Sequence, residues 1–117
     1  MAEIRLIEIK EEILADNAAL AEEIRGDLAR RGVFLLNLMS SPGSGKTSLI
    51  VQTLRRLREA FRMAVIEGDI DSMVDAETVS REGIPAVQLR TGGFCHLDAS
   101  MIRLALSELD LANLDLV

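Results

Sequence analysis

The chain has 117 residues, a formal net charge of −6 and an apolar fraction of 49%, which is the size and content of one short domain with a core of its own. Its acidity and its three aromatic residues, all Phe, exclude a protein that tracks duplex phosphates or stacks single-stranded bases. One Cys excludes an internal disulfide framework and a self-contained four-cysteine zinc site. No apolar run reaches the roughly 18 residues of a membrane span.

The start, Met-Ala-Glu-Ile-Arg, is acidic and amphipathic and unlike a signal peptide, so the expected compartment is the cytoplasm. Residues 3–31 are predicted to form one long helix. Ile13, Leu20, Ile24 and Leu28 make a narrow apolar stripe, with Glu11, Glu12, Glu22 and Glu23 off it. Arg30 and Arg31 suit its negative end and Gly32 suits the position just past it. Such a helix packs on a domain face or forms a dimer surface. Val33–Met39 (VFLLNLM) is a near-continuous apolar run, predicted as a buried strand of a parallel sheet.

A Gly, Ser and Pro cluster, Ser40–Thr47, leads into a predicted helix over Ser48–Ala60, with Leu49, Ile50, Thr53, Leu54 and Leu57 at helical spacing. Arg55, Arg56 and Arg58 lie toward its outer face and end. Met63–Ile66 is a second predicted strand, closed by Glu67-Gly68-Asp69. A helix is expected over Asp75–Arg81, stopped by Gly83 and Pro85, then a third strand over Ala86–Leu89. The loop Thr91–His96 precedes a last helix over Asp98–Leu109, capped by Asp98 or Ser100. Asn113–Val117 has the pattern of an entry to a fourth strand. Strands alternating with helices predict an α/β three-layer fold with a mainly parallel sheet.

The unit VFLLNLM, SSPGSGKT, SLIVQTLRRL is strand, loop and helix. Gly45, Lys46 and Thr47 match the end of the phosphate-loop pattern G-x-x-x-x-G-K-[ST]. Ser40 replaces its first Gly, and Gly43 supplies another flexible point. Successive N–H groups over Gly43, Ser44, Gly45, Lys46 and Thr47 can face one concavity, and the helix end adds its positive pole. Lys46 reaches the β- and γ-phosphates as a point charge, and the Thr47 hydroxyl ligates Mg²⁺. Asp69 ends the second strand at the same sheet edge, where doubly wound sheets bind ligands. It is the first candidate for a further Mg²⁺ contact, followed by Asp71 and Asp75.

Cys95 and His96 follow two glycines after the third strand, again at a carboxyl end. Both suit Zn²⁺ or Ni²⁺. Two ligands are too few for a closed tetrahedral site, but a symmetric dimer supplies each of them twice. A nucleophilic Cys–His pair is the competing assignment, without an evident orienting residue.

Three stretches, NLMSSPGSGKTSL, EGDIDSMVDAE and GIPAVQLRTGGFCHLDASMI, together resemble the HypB family of nickel-incorporation GTPases of hydrogenase maturation, in the SIMIBI class of P-loop proteins. The Gly-Phe-Cys-His-Leu-Asp-Ala run is the most specific of them. The resemblance implies a GTP-driven homodimer that delivers nickel to the hydrogenase large subunit precursor with a HypA-type chaperone. It implies that Gly43, Ser44, Gly45, Lys46, Thr47 and Ser48 hold the phosphates and that Lys46 neutralises developing charge. Thr47 and Asp69 then sit at Mg²⁺, Asp75 takes a hydrolytic role in the switch region, and Cys95 and His96 ligate Ni²⁺ or Zn²⁺ at the dimer interface.

The expected organisation is an N-terminal helix over 1–32 on an incomplete GTPase domain over 33–117. The family's Glu-x-x-Gly strand, third metal-binding Cys and guanine-reading Asn-Lys-x-Asp motif have no counterpart in these residues. Neither do a Cys-rich arm or a His-rich tract, and Met73 takes no role. A truncated chain is therefore expected, with uncovered apolar surface and poor solubility. The rival assignments are a urease-type nickel GTPase, a small-metabolite kinase with a lid of arginines, and a non-hydrolysing metal-binding dimerisation fragment.

Overall fold

The computed structural model describes residues 2–8, 17–39, 45–69, 74–90 and 97–117. Its centre is a three-stranded sheet of β1 (Ile4–Glu8), β2 (Val65–Asp69) and β3 (Ala86–Arg90), in the order β1-β3-β2. Both pairings are parallel. β3 lies in the middle because Ala86, Val87, Gln88 and Leu89 are all buried, the burial of a strand covered on both faces. The register sets Ile4, Ala86 and Val65 side by side, then Leu6, Gln88 and Glu67, then Glu8, Arg90 and Asp69.

Two helices cover each face. α1 (Asn17–Arg31) and α4 (Ala99–Ser107) lie on one side, where Ile24, Leu28, Ala99 and Leu106 form a core and Met101 and Ala105 pack on Val87 and Leu89. α2 (Lys46–Leu57) and α3 (Val74–Arg81) lie on the other, through Leu54, Ala76, Val79 and Ala86. The expected three-layer α/β architecture is the observed one. The α1 stripe buries Ile24 and Leu28 as the spacing predicts; Ile13 lies outside the described residues. Gly32 follows α1 at φ +70°, and the Val33 N–H returns to the Leu28 carbonyl at 3.0 Å, the left-handed close that glycine permits.

Two expectations are corrected. The predicted helix over residues 3–31 does not begin the chain: Ile4–Glu8 is a strand. The apolar stripe that argued for helix starts only at Ile13, and an open edge of β3 offers the preceding segment a full hydrogen-bonding ladder. Two contacts tie in this edge: the Ala86 N–H donates to the Glu3 carbonyl at 3.2 Å, and the Ala2 N–H donates to the Ser80 carbonyl at 3.0 Å.

Val33–Met39 is not a buried strand either. Val33 is buried, but Phe34 is 64%, Leu36 52% and Met39 85% exposed. Its pairing is a single parallel bridge from Phe34 to Leu116, and Leu116 bridges in turn to Met63. The Phe34 and Leu36 N–H groups donate to the Asp115 and Val117 carbonyls, each at 2.9 Å. The C-terminal run thus enters the sheet as a fourth strand would, between β2 and the 34–36 segment. Among the described residues this segment pairs on one side only, and Phe34, Leu35, Leu36, Leu38 and Met39 are exposed. The expectation of uncovered apolar surface is met at this edge.

Element ends move by one to three residues. α2 starts at Lys46 and ends at Leu57, β2 runs to Asp69, β3 runs to Arg90, and α4 stops at Ser107. Asp98 is the α4 cap, its carboxylate accepting from the Met101 N–H at 3.0 Å. Ser100 instead donates its hydroxyl to Asp98 at 2.7 Å.

Asp115 fastens the C-terminal run. Its carboxylate accepts the Arg62 backbone N–H at 2.8 Å and meets the guanidinium at 3.2 Å. The guanidinium hydrogen bond, and then the backbone one, hold the Asp115 carboxyl below its ordinary value. Such a group stabilises the fold above its unfolded pKa, about 3.9, and loses that effect as pH falls through the folded value. Asp115→Asn should therefore melt below the parent at pH 7, with the gap closing below about pH 4; thermal melts across pH read this directly. Leu89, fully buried on β3, gives the stronger test of the core. Leu89→Ala should cost roughly 2–5 kcal/mol in urea unfolding.

Candidate functional site

The site is built at the carboxyl edge of the parallel strands. Gly45 precedes α2 at φ +92° and ψ +14°, a left-handed conformation that disfavours any other residue there. Its carbonyl accepts the Leu49 N–H at 3.0 Å, so the helix ladder starts at the glycine. Lys46, Thr47 and Ser48 are the first three residues of α2, where the helix dipole is positive. No acidic residue occupies that first turn, which keeps the end attractive to an anion.

Lys46 shares a cleft of about 860 Å³ with Glu67, Gly68, Leu97 and Asp98, the rest of its lining being mainly apolar side chains of α1, α2, the 33–38 segment and the C-terminal run. The structure thus brings the start of α2 and the end of β2 into one concavity. Asp69 is the last residue of β2 and Asp75 the second of α3. Gly43, Ser44, Asp71, Met73, Cys95 and His96 lie outside the described residues. Among the described residues no group of three or more His, Cys, Asp or Glu is arranged to hold a metal ion.

Three features of this edge escape sequence reasoning. The first is a polar layer under the cleft. Gln88 is fully buried and Glu67 nearly so, side by side on adjacent strands. The Gln88 amide donates to the Glu67 carbonyl at 3.3 Å and to that of Leu89 at 3.2 Å. Arg90, two residues on, meets Glu8 at 3.3 Å. An amide in the middle of the apolar strand AVQLR was the available signal. The second feature is Asn17, whose side-chain oxygen accepts the Ala99 N–H at 2.6 Å and so ties the start of α1 to the start of α4. Nothing in the local sequence pairs these residues. The third is Leu97, which lies against Gly68: a Cβ added at Gly68 would fall 2.6–2.8 Å from three Leu97 side-chain atoms.

The arginines after the phosphate loop are structural tethers. Arg55 meets Glu82 at 2.6 Å and Arg58 approaches the same carboxylate at 3.6 Å, while Arg62 holds Asp115. The Arg55 hydrogen bond is the main cause that lowers the Glu82 carboxyl pKa and raises that of Arg55. Arg55, Arg58 and Arg62 thus each have an acidic partner within the fold. Glu82→Gln should lower stability at pH 7 more than at pH 3 in matched thermal melts, because the paired carboxylate's contribution, full above its unfolded pKa of about 4.3, is lost as pH falls through its lowered folded value.

Residues 34–117 match the model of the CobW/HypB/UreG nucleotide-binding domain. The chain is 45% identical over 109 residues to the hydrogenase maturation factor HypB of Rhizobium leguminosarum bv. viciae, covering 93% of this chain and 36% of that protein. It spans about a third of the length of such curated relatives. Among solved structures it is similar to HypB from Helicobacter pylori in complex with nickel, with a TM-score of 0.77 and 37% identity over 87% of this chain and 48% of that one. It is also similar to HypB from Archaeoglobus fulgidus, with a TM-score of 0.75 and 41% identity over 88% of this chain and 50% of that one.

Proposed function

Because the chain belongs to the CobW/HypB/UreG family of nucleotide-binding domains, we propose that it carries the phosphate-binding portion of a GTP-hydrolysing metallochaperone for nickel insertion into [NiFe]-hydrogenase. The observation that carries this is the opening of Lys46, at the start of α2, into one cleft with the carboxyl end of β2. Residues 33–117 are then the N-terminal portion of the GTPase domain, with α1 packed upon it and Ile4–Glu8 joined to its sheet as a strand. The relatives' names favour the hydrogenase member over a urease-type one or a metal-binding fragment without nucleotide chemistry.

In this assignment Gly43, Ser44, Gly45 and Ser48 present backbone N–H groups to the phosphates. Lys46 screens the charge that builds on the bridging and terminal oxygens. The Thr47 hydroxyl and the Asp69 carboxylate are hard oxygen donors of the kind Mg²⁺ takes, and the bound ion would neutralise phosphate charge there. Asp75, at the start of α3, orients the attacking water. Nickel is the cargo, held by Cys95 and His96 across a homodimer, with zinc as the competing ion. A HypA-type chaperone and the hydrogenase large subunit precursor are the partners, in the cytoplasm. Among the described residues no helix is long and apolar enough to cross a membrane.

Titration of fluorescent GDP and ADP analogues with Mg²⁺ tests the assignment. The Lys46→Ala variant should bind at least tenfold more weakly, the scale of a lost charge-assisted hydrogen bond of roughly 1.5–3 kcal/mol. Equal affinity in parent and variant would refute the phosphate-loop assignment. Nickel dialysis against Cys95→Ser and His96→Ala tests the cargo site. A bridging site binds one ion per two chains, and both variants should lose it.

A further inference from the structure

The sheet has two edges, and they differ in kind. The β1 edge carries charge: Arg5 pairs with Glu3 at 2.7 Å and Glu8 with Arg90 at 3.3 Å. Charged side chains of this sort keep an edge strand from taking another chain. The opposite edge is the 34–39 segment, which has no charged residue, no Pro and no Gly. Phe34, Leu35, Leu36, Leu38 and Met39 are exposed there, and so is Leu49 of α2, which lines the same cleft as Phe34, Leu36 and Leu38.

The backbone of this segment is half used. The Phe34 and Leu36 N–H groups donate to the C-terminal run, and the Phe34 carbonyl accepts the Val117 N–H at 2.9 Å. Successive residues of an extended chain direct these groups to opposite sides. Those of Leu35 and Asn37 therefore face outward, and among the described residues neither has a backbone partner. This spacing suits an antiparallel pair about a two-fold axis. With Leu36 opposite its own copy, Leu35 exchanges both bonds with Asn37 of the second chain, and Asn37 with Leu35. Phe34 then faces Leu38 of the copy, an aromatic–aliphatic cross-strand pair. The exposed apolar patch is on the order of 600 Å², as much as a monomer ordinarily leaves uncovered. Two such patches face to face withdraw up to about 1,200 Å², where stable interfaces begin.

We propose that a second copy of this chain covers this edge, pairing antiparallel along residues 34–38 to make one continuous sheet. The occupant is a second copy because the segment complements itself. Its register about Leu36 satisfies all the outward groups of Leu35 and Asn37 and brings no charge against another. A contact of this kind is isologous and closes at two chains. It is separate from the Cys95–His96 homodimer and needs neither metal nor nucleotide.

Sedimentation equilibrium of the full chain in EDTA, without nucleotide, should give twice the chain mass. Leu36→Lys sets two ammonium groups together at the axis and should raise the dissociation constant at least tenfold. Asn37→Pro should do the same by another route: it removes a donor from each side of the seam, while the monomer loses no backbone bond it makes. Leu104→Lys, at a comparably exposed leucine of α4 away from this edge, should leave the constant unchanged. In a Cys95→Ser background, Leu36→Cys should oxidise to a covalent dimer, and Leu104→Cys should not. Opposed residues at such a non-hydrogen-bonded position lie about 4.5 Å apart between Cα atoms, within disulfide reach. The crosslink keeps the test open if Leu36→Lys or Asn37→Pro folds poorly. A monomer in EDTA at every concentration would overturn the proposal and give the edge to a strand of another chain. So would a dimer that forms only with nickel, assembly that grows past two chains, or a dimer that tolerates both Leu36→Lys and Asn37→Pro.

Discussion

All the strands of this sheet run in one direction, and that constraint gathers the chemistry at one edge. Parallel pairing on both sides of β3 puts the ends of β1, β2 and β3 together, and the start of α2 opens onto the same side. The register is fixed by burial. A slip of one residue would carry Gln88 and Glu67 to the face where Val87 and Leu89 pack on α4, leaving two polar side chains against apolar neighbours. The depth of the β3 core thus decides which residues reach the cleft.

The polar contacts between distant segments place elements more than they stabilise them. Glu82 with Arg55 and Arg58, and Asp115 with Arg62, are pairs whose arginines are half-exposed, and solvent screening keeps the net energy of such pairs small. Their value is geometric: the first joins α2 to the end of α3, the second aligns the C-terminal run beside β2. Asn17 and Asp98 do the same for α4.

Much of the fold was legible because the signals were local. The Ile24 and Leu28 stripe, the left-handed Gly32, the Asp98 cap and the apolar β3 are each written within a few residues, and the structure keeps them. The start of α2 was legible for the same reason: its geometry depends on Gly45. Ile4–Glu8 was not legible, since a short segment with neither clear period takes its state from the partner it finds. Val33–Met39 misled in the opposite way. Its hydrophobicity matches a buried strand, but burial needs neighbours on both sides, and pairing here ends at Leu36.

By itself, then, the sequence determined the alternation of strands and helices, the phosphate-loop motif and the candidate ligands Asp69, Cys95 and His96, because motif chemistry and periodicity reside in consecutive residues. Only the tertiary structure decided that the chain's first segment is an edge strand, that Gln88 and Glu67 share a buried polar layer, and that Leu97 rests on Gly68. Each of these depends on strand order and register, which bring together residues tens of positions apart, and no local pattern encodes that pairing.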